Sequence, residues 1–240
     1  MTDLFTTTIV GDVVARDMRS AAVFARYGID FCCGGRRSIA DACRAGGVSP
    51  EAVLHDLEAL PSTTAAAQDF TTWPIERVID RVVTTHHAYV RAQIPIIQGF
   101  ADTLASKKAD RYPVLLAMRD IWTRLAADLA HHLDKEEVIL FPFIRALAQA
   151  AGNRHVLPPQ TPFGTIQNPL RLMEVEHEAA ARDLAELRQL TNNYQPPADA
   201  CATWRAFYAE LDAFERDLHE HVHLENNVLF PAAARLEELS

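Results

Sequence analysis

Residues 128–142, DLAHHLDKEEVILFP, are echoed 89 positions later by residues 217–231, DLHEHVHLENNVLFP. Each copy places an aspartate, a histidine and a glutamate at intervals of four residues and closes on Leu-Phe-Pro. Because residues four apart share one face of a helix, each copy presents an imidazole beside a carboxylate. A duplicated His-x-x-x-Glu on helices predicts a metal site.

The same repeat selects the ligands from a larger set of histidines. His132 corresponds to His221 and Glu136 to Glu225, and His87 and His177 stand 90 positions apart. The other histidines of these stretches are predicted to be surface or supporting residues: His86, His131, His219 and His223. The predicted ligands are therefore four imidazoles and two carboxylates: His87, His132, Glu136, His177, His221 and Glu225.

Four nitrogen and two oxygen donors divide naturally between two metal ions, each with two histidines and both bridged by the carboxylates. Such donors suit iron or manganese, and the chain has no paired Cys-x-x-Cys of the kind that builds a closed zinc site. Positions would remain for an oxo or hydroxo bridge and for a small molecule. Asp128 and Asp217, one turn before each ligand histidine, are either tuning carboxylates or ordinary helix-surface residues.

The composition excludes several classes of protein. A net charge of −9 argues against a nucleic-acid partner, which would require a basic stripe. No apolar run approaches the roughly 20 residues of a membrane span, and residues 1–10 lack the pattern of a signal peptide. Four cysteines, two of them adjacent, do not form a disulfide framework. The expected location is the cytoplasm, without a membrane partner.

The hydrophobic content of 49%, with few glycines, predicts an all-α protein. We expect an antiparallel four-helix bundle at 73–240, with helices at 74–105, 111–149, 168–193 and 199–238. A small helical domain at 1–60 precedes it, joined by a linker at 61–72. Asp12, Ser38 and Ser49 are predicted N-caps in the small domain, as is Asn168 in the bundle. Pro142 and Pro231 are expected to kink their helices.

The small domain carries adjacent thiols, Cys32 and Cys33, followed by Gly34-Gly35 and Arg36-Arg37. Neighbouring cations and a following helix N-terminus would favour the thiolate. Such a pair could oxidise, bind a soft metal, or simply pack as two small hydrophobic residues. Cys32 and Cys33 are the candidate reactive residues of the chain, whereas Cys43 and Cys201 are expected to pack.

Four motifs together resemble a known family. These are YGIDFCCGG at 27–35, HLDKEEVILFP at 132–142, MEVEH at 173–177 and HVHLENNVLFP at 221–231. They are similar to the repair of iron centres (RIC) family, the hemerythrin-like di-iron proteins of the YtfE, ScdA, DnrN and NorA type. The resemblance spans nearly the whole chain. It implies a small ScdA-type N-terminal domain with the cysteine pair, followed by a hemerythrin-like bundle that holds two iron ions.

The resemblance also implies a set of residue roles. The family's ligands fall on the six residues that the internal repeat selects. Glu176 matches a family acidic residue beside the third histidine, and Asp128 stands where the family often has glutamate. Known hemerythrins carry a further histidine that has no clear counterpart here. Ferritin-like sites, by contrast, are richer in carboxylates.

Four functions remain open at this stage. The first is a nitrosative-stress protein that repairs damaged iron-sulfur proteins, its clients, and binds nitric oxide at a di-iron centre. The second is an enzyme that reduces nitric oxide at two irons roughly 3.5 Å apart. The third is a hemerythrin-like carrier of nitric oxide or oxygen, and the fourth is a metal-free helical adaptor. Enzymatic activity and oligomeric state, including a homodimer, stay undecided.

Overall fold

The computed structural model describes residues 7–61, 68–153, 156–157 and 159–238. Helices dominate these residues; a single antiparallel bridge joins Ile9 to Ser38, and the described part contains no strand. The predicted all-α class is confirmed. The α-helices are α1 Val10–Arg16, α2 Ser20–Arg26, α3 Ile39–Gly46, α4 Pro50–Glu58, α5 Ile75–Arg81, α6 Ala88–Lys108, α7 Val114–Lys135, α8 Phe141–Gly152, α9 Gln167–Leu190, α10 Ala202–Leu224 and α11 Phe230–Glu238.

Short π-helical segments join six of these helices into three long ones. They are Val82–His87 between α5 and α6, Glu136–Leu140 between α7 and α8, and Glu225–Leu229 between α10 and α11. With α9, these continuous helices match the four predicted long helices to within three residues at every end. Each π segment begins or ends on a predicted metal ligand. A π turn inside an α-helix is rare and frequently marks a functional site.

The prolines of the repeat explain two of the π segments. The N–H of Phe141 donates to the carbonyl of Glu136, five residues earlier, and the N–H of Phe230 donates likewise to Glu225. Pro142 and Pro231 follow directly and have no N–H to continue the α-helical pattern. The expected disturbance of the helix therefore takes the form of a wider turn just before each proline.

The chain folds into two compact units. The first comprises Met1–Val82, Ile144–Asn168 and His219–Ser240, and the second comprises Val83–Phe143 and Pro169–Leu218. These units group residues by their contacts, and the domain boundaries at 60 and 73 stay a prediction. Residues 62–67 of the predicted linker lie outside the described residues, whereas Phe70–Thr72 forms a short 3-10 turn capped by Asp69.

The second unit is the four-helix bundle. Trp122 and Phe214 pack edge to face with ring centroids 4.9 Å apart, and both are fully buried. Ion pairs tie neighbouring helices together: Arg91 with Asp134, Arg124 with Asp183, and Arg188 with Glu215. Arg91 lies near the start of α6 and Asp134 near the end of α7, as antiparallel neighbours require. Burial of the apolar faces provides most of the driving force, because exposed ion pairs contribute little.

The first unit packs the small N-terminal helices against the ends of the long ones. Its core includes Val14, Phe24, Ile79, Ile144 and Leu229, all almost completely buried. Asp56 on α4 accepts hydrogen bonds from Arg26 and Tyr27 at the end of α2, at 2.7 and 3.0 Å. This pairing fixes the two helices against each other at the surface.

The predicted helix caps are correct at two positions and wrong at two. The hydroxyl oxygens of Ser38 and Ser49 accept hydrogen bonds from the N–H groups of Asp41 and Ala52, at 3.1 and 3.3 Å. Asp12 is not a cap, because α1 already begins at Val10 with Ile9 in the cap position. Asn168 is the second residue of α9, two residues after the cap position. Its amide instead donates to the carbonyl of Phe163 at 2.9 Å.

Candidate metal centre

Two predicted ligands from different helices of the bundle point the same nitrogen at each other. His132 on α7 and His177 on α9 are buried, and their Nε2 atoms lie 3.0 Å apart. The Nδ1 of His132 lies 2.8 Å from Oε2 of Glu176. Since a carboxylate only accepts, this contact places the His132 proton on Nδ1 and leaves Nε2 with a lone pair. Nε2 of His132 is therefore ready to bind a cation.

Glu136 supplies the oxygen donor of this group. Its side chain is completely buried, and Oε2 lies 3.4 Å from Nε2 of both His87 and His132. Neither of its oxygens accepts a hydrogen bond from the described residues. Together with His132 and His177 it offers ligand atoms within 4.8 Å of one another. A buried carboxylate without hydrogen bonds is costly, and a metal ion is the partner that would offset this cost.

His87, at the end of the first π segment, is oriented by a residue that sequence reasoning missed. Its Nδ1 lies 2.9 Å from Oε1 of Glu137, and its ring stacks on Phe141 at a centroid distance of 5.7 Å. Burial alone would raise the pKa of Glu137, but hydrogen bonds from His87 and Arg91 hold it below its ordinary value. A carboxylate behind a histidine fixes the ring and increases its basicity toward a metal.

Glu176 plays the same part for His132. The hydrogen bond from His132, followed by that from Lys135, lowers the pKa of Glu176 to about 2, against the opposing effect of burial. The carboxylate is thus ionised at neutral pH and braces the histidine. The family resemblance singled out Glu176, whereas Glu137 carried no signal beyond its position directly after Glu136.

The ligand pair of the second copy of the repeat lies in the first unit. His221 and Glu225 are both fully buried, and Nε2 of His221 lies 3.0 Å from Oε1 of Glu225. The first copy shows the same pairing, with 3.4 Å between Nε2 of His132 and Oε2 of Glu136. Both copies thus place imidazole and carboxylate side by side in an apolar environment, as the four-residue spacing predicts.

The two predicted tuning carboxylates occupy different surroundings. Asp128 is exposed and lines a cavity of about 200 Å³ in the second unit, together with His132, Glu176 and His177. Asp217 contacts Nδ1 of His86 at 3.0 Å. His86 was predicted to be a surface or supporting residue. Because it is buried, only a supporting role beside Asp217 fits.

Comparison with known proteins finds a cation-binding domain in this chain. A model described as the hemerythrin HHE cation binding domain matches residues 78–233, and the ScdA_N domain of unknown function (DUF542) matches residues 6–61. The iron-sulfur cluster repair protein YtfE of Citrobacter koseri is 33% identical over 93% of this chain and 95% of its own length. The protein of the same name from Escherichia coli O157:H7 is 32% identical over the same shares.

The chain belongs to the YtfE family of hemerythrin-domain proteins. A further member, the probable iron-sulfur cluster repair protein of Haemophilus influenzae, is 34% identical over 87% of this chain and 88% of its own length. The matched cation-binding domain and the buried histidine and glutamate clusters agree on metal binding as a property of this chain. No helix among the described residues is both long and apolar enough to cross a membrane.

The cysteine loop, in the part of the chain that matches ScdA_N, is organised by Asp30. Its carboxylate accepts hydrogen bonds from the N–H groups of Cys32, Cys33 and Gly34, at 2.9, 3.0 and 2.8 Å. The Cys32 thiol lies 3.2 Å from the same carboxylate. A hydrogen bond with Cys33, and then burial, raises the pKa of Cys32 well above its ordinary value. The predicted preference for thiolate is therefore wrong for Cys32, because a buried, acidic environment favours the neutral thiol.

This loop is held against the helix that carries the second copy of the repeat. The Asn227 amide donates to the carbonyls of Phe31 and Cys32, at 3.3 and 3.0 Å. Nδ1 of His223 lies 3.2 Å from the Phe31 carbonyl, and burial lowers the pKa of His223 to about 4. His223 was predicted to be a surface or supporting residue, and the structure shows it completely buried. The cysteine loop and the segment after His221 thus share hydrogen bonds.

Proposed function

We propose that this chain is a di-iron protein that repairs damaged iron-sulfur clusters. The relatives of the YtfE family carry that function in their names and match this chain over most of its length. The observation that carries the proposal is the buried group of His132, His177 and Glu136, in which the two Nε2 atoms lie 3.0 Å apart and Oε2 of Glu136 lies 3.4 Å from Nε2 of His132. This arrangement has no satisfactory explanation in a metal-free helical adaptor.

We assign the six repeat-selected residues to one centre with two iron ions. The repeat relates His132 and Glu136 to His221 and Glu225, and His87 to His177, so each half of the sequence supplies two imidazoles and one carboxylate. Glu137 orients the His87 ring and Glu176 orients the His132 ring. Nε2 of each ring lies 3.4 Å from Oε2 of Glu136. Iron at this centre would supply open coordination positions and the ability to change oxidation state.

Nitric oxide is the small molecule that we propose for the open positions. The cavity of about 200 Å³ beside His132 and His177 is large enough for a diatomic molecule to approach the predicted ligands. The clients are iron-sulfur proteins damaged under nitrosative or oxidative stress, and the place of action is the cytoplasm. Neither a nucleic acid nor a membrane takes part in this proposal, since the chain carries a net charge of −9.

Metal content tests the proposed centre most directly. We expect protein produced in iron-supplemented medium to contain about two iron ions per chain by mass spectrometry. A Glu136→Ala, Glu225→Ala double variant should lose most of this iron, because it removes both carboxylate donors. Glu178→Ala is the matched control, since Glu178 is exposed on the same helix as His177. Iron absent from the unaltered protein, or retained in the double variant, would refute the assignment.

A further inference from the structure

The first unit contains a second, larger cavity that the proposed iron chemistry does not use. It is a cleft of about 330 Å³. Its polar lining comes from α1, the cysteine loop (residues 27–38), the 3-10 turn, the third π segment and α11: Asp12, Arg16, Arg36, Thr71, Asn226, Asn227 and Arg235. Three arginines against one aspartate make the cleft positive, although the chain as a whole has a net charge of −9. Such a local reversal of sign concentrates anions.

Two of these arginines have no counterion among the residues that the structure describes. Neither Arg16 nor Arg235 forms an ion pair with any residue that the structure describes, and both are exposed. By contrast, ion pairs hold Arg19, Arg26 and Arg44 elsewhere in the same unit. A guanidinium group matches the geometry of a carboxylate or a phosphate, with two parallel hydrogen bonds. The guanidinium groups of Arg16 and Arg235 are therefore available to bind an anion in the cleft.

The remaining wall of the cleft is apolar. It includes Phe70, Trp73, Ile75 and Val78, and the rings of Phe70 and Trp73 lie 4.7 Å apart. Arg77 lies over the Trp73 ring at 3.7 Å and fixes the orientation of the indole. A cleft lined by both apolar and cationic side chains suits a small organic molecule with charged ends better than it suits a bare inorganic ion.

We propose that this cleft binds a small organic anion with at least two carboxylate or phosphate groups. A volume of about 330 Å³ lies within the range of small-ligand sites. The acidic chain that surrounds the cleft would repel a long polyanion, so the chemistry selects a small molecule over a nucleic acid or an anionic membrane.

An anion bound in the cleft would lie beside two residues that also contact the cysteine loop. Asn226 and Asn227 line the cleft, and both also contact the cysteine loop: Asn226 lies 4.0 Å from Sγ of Cys33, and Asn227 donates to Cys32. A bound anion would immobilise these two side chains. Its binding should therefore raise the thermal stability of the chain as well as release heat.

Calorimetric titration of the full-length, iron-loaded protein tests the proposal. The probes are tricarballylate for the carboxylate class and fructose 1,6-bisphosphate for the phosphate class, with acetate as the monovalent control at equal ionic strength. We expect at least one multivalent probe to bind and acetate not to bind. Affinity should fall as salt is added, since the attraction is electrostatic.

Matched arginine variants make the test specific. An Arg16→Gln, Arg235→Gln double variant should bind the successful probe at least about tenfold more weakly, because each lost charge-assisted bond costs roughly that factor. An Arg37→Gln, Arg44→Gln variant should bind normally, since neither residue lines the cleft. If the Arg16→Gln, Arg235→Gln variant fails to fold, the single Arg235→Gln variant, changed at an exposed site, is compared with the unaltered protein instead.

The proposal is overturned if neither probe binds the unaltered protein at millimolar concentration, or if acetate binds equally well. Undiminished binding by the folded Arg16→Gln, Arg235→Gln variant would overturn it too. Neither Arg16 nor Arg235 is a proposed metal ligand and no proposed ligand lines the cleft, so these outcomes are distinct from a failure of the proposed metal centre.

Discussion

At the scale of single residues, the carboxylates behind the histidines determine how the histidines act. Glu176 braces His132, and Glu137 braces His87, each through Nδ1. Removing the charge from such a carboxylate leaves the ligand in place but loosens its ring and lowers its basicity. Residues in this position commonly change metal affinity by about 10- to 100-fold.

We therefore expect Glu176→Gln to weaken iron binding by about 10- to 100-fold without unfolding the chain. The amide retains the shape of the side chain but not the charge that holds His132 and Lys135. Competition with a chelator of known affinity measures the change. Glu174→Gln, two residues earlier on the same helix, is the control and should leave the affinity nearly unchanged. Equal affinities for Glu176→Gln and the unaltered protein would show that Glu176 has no role in orienting the ligand.

These residues also show how much of the site could be predicted from the sequence. His132, His177 and Glu136 could be selected because the duplicated spacing separates them from His131 and the other neighbours. Glu137 could not, since its contact with His87 joins residues 50 positions apart and depends on how two helices pack. The Cys32 environment was mispredicted for a related reason. The sequence shows Arg36 and Arg37 nearby, but the folded loop turns the thiol toward Asp30 and Cys33.

At the scale of elements, the cysteine loop is shaped by close backbone approach. A Cβ added at Gly35 would lie 2.5 Å from the Phe31 carbonyl oxygen and 2.6 Å from Oδ1 of Asn227. Both distances are too short for a carbon atom, and the first partner is backbone that cannot simply rotate away. Glycine at position 35 is therefore required by packing rather than by a left-handed backbone.

We expect Gly35→Ala to destabilise the chain by about 1–3 kcal/mol, the usual cost of forcing an extra carbon into a packed site. The loss should appear as a lower midpoint in thermal or urea unfolding. Gly46→Ala provides the comparison, since its added carbon would meet only Val48 Cγ2 at 3.4 Å near the end of α3. If both variants melted alike, the close approach at Gly35 would not be significant for folding.

The π segments show how much of the helix geometry could be predicted from the sequence. Periodicity located the four long helices, and Pro142 and Pro231 indicated where they would deviate from regular geometry. The same pattern gave no sign of the π turn at Val82–His87, where no proline follows. An inserted turn changes the hydrogen bonding of only a few residues and leaves the surrounding apolar spacing almost intact, so periodicity alone does not reveal it.

At the scale of the whole molecule, the thiols and one copy of the ligand repeat belong to the same compact unit. The first unit contains Cys32 and Cys33 as well as His221 and Glu225. The periodicity of the sequence describes the helices and not the long-range contacts that group them, so this grouping could not be predicted. Asn227 and His223 provide two of those contacts, at separations of nearly 200 residues.

This grouping predicts that the thiols serve repair rather than metal retention. A Cys32→Ala, Cys33→Ala variant should keep its iron, because neither thiol is among the predicted ligands. It should nevertheless reactivate a nitrosylated iron-sulfur enzyme more slowly than the unaltered protein. Cys201→Ala, which removes a partly exposed thiol of the second unit, should repair at the normal rate. Unchanged repair by the double variant would mean that Cys32 and Cys33 only pack, and iron lost with the thiols would place them at the metal centre itself.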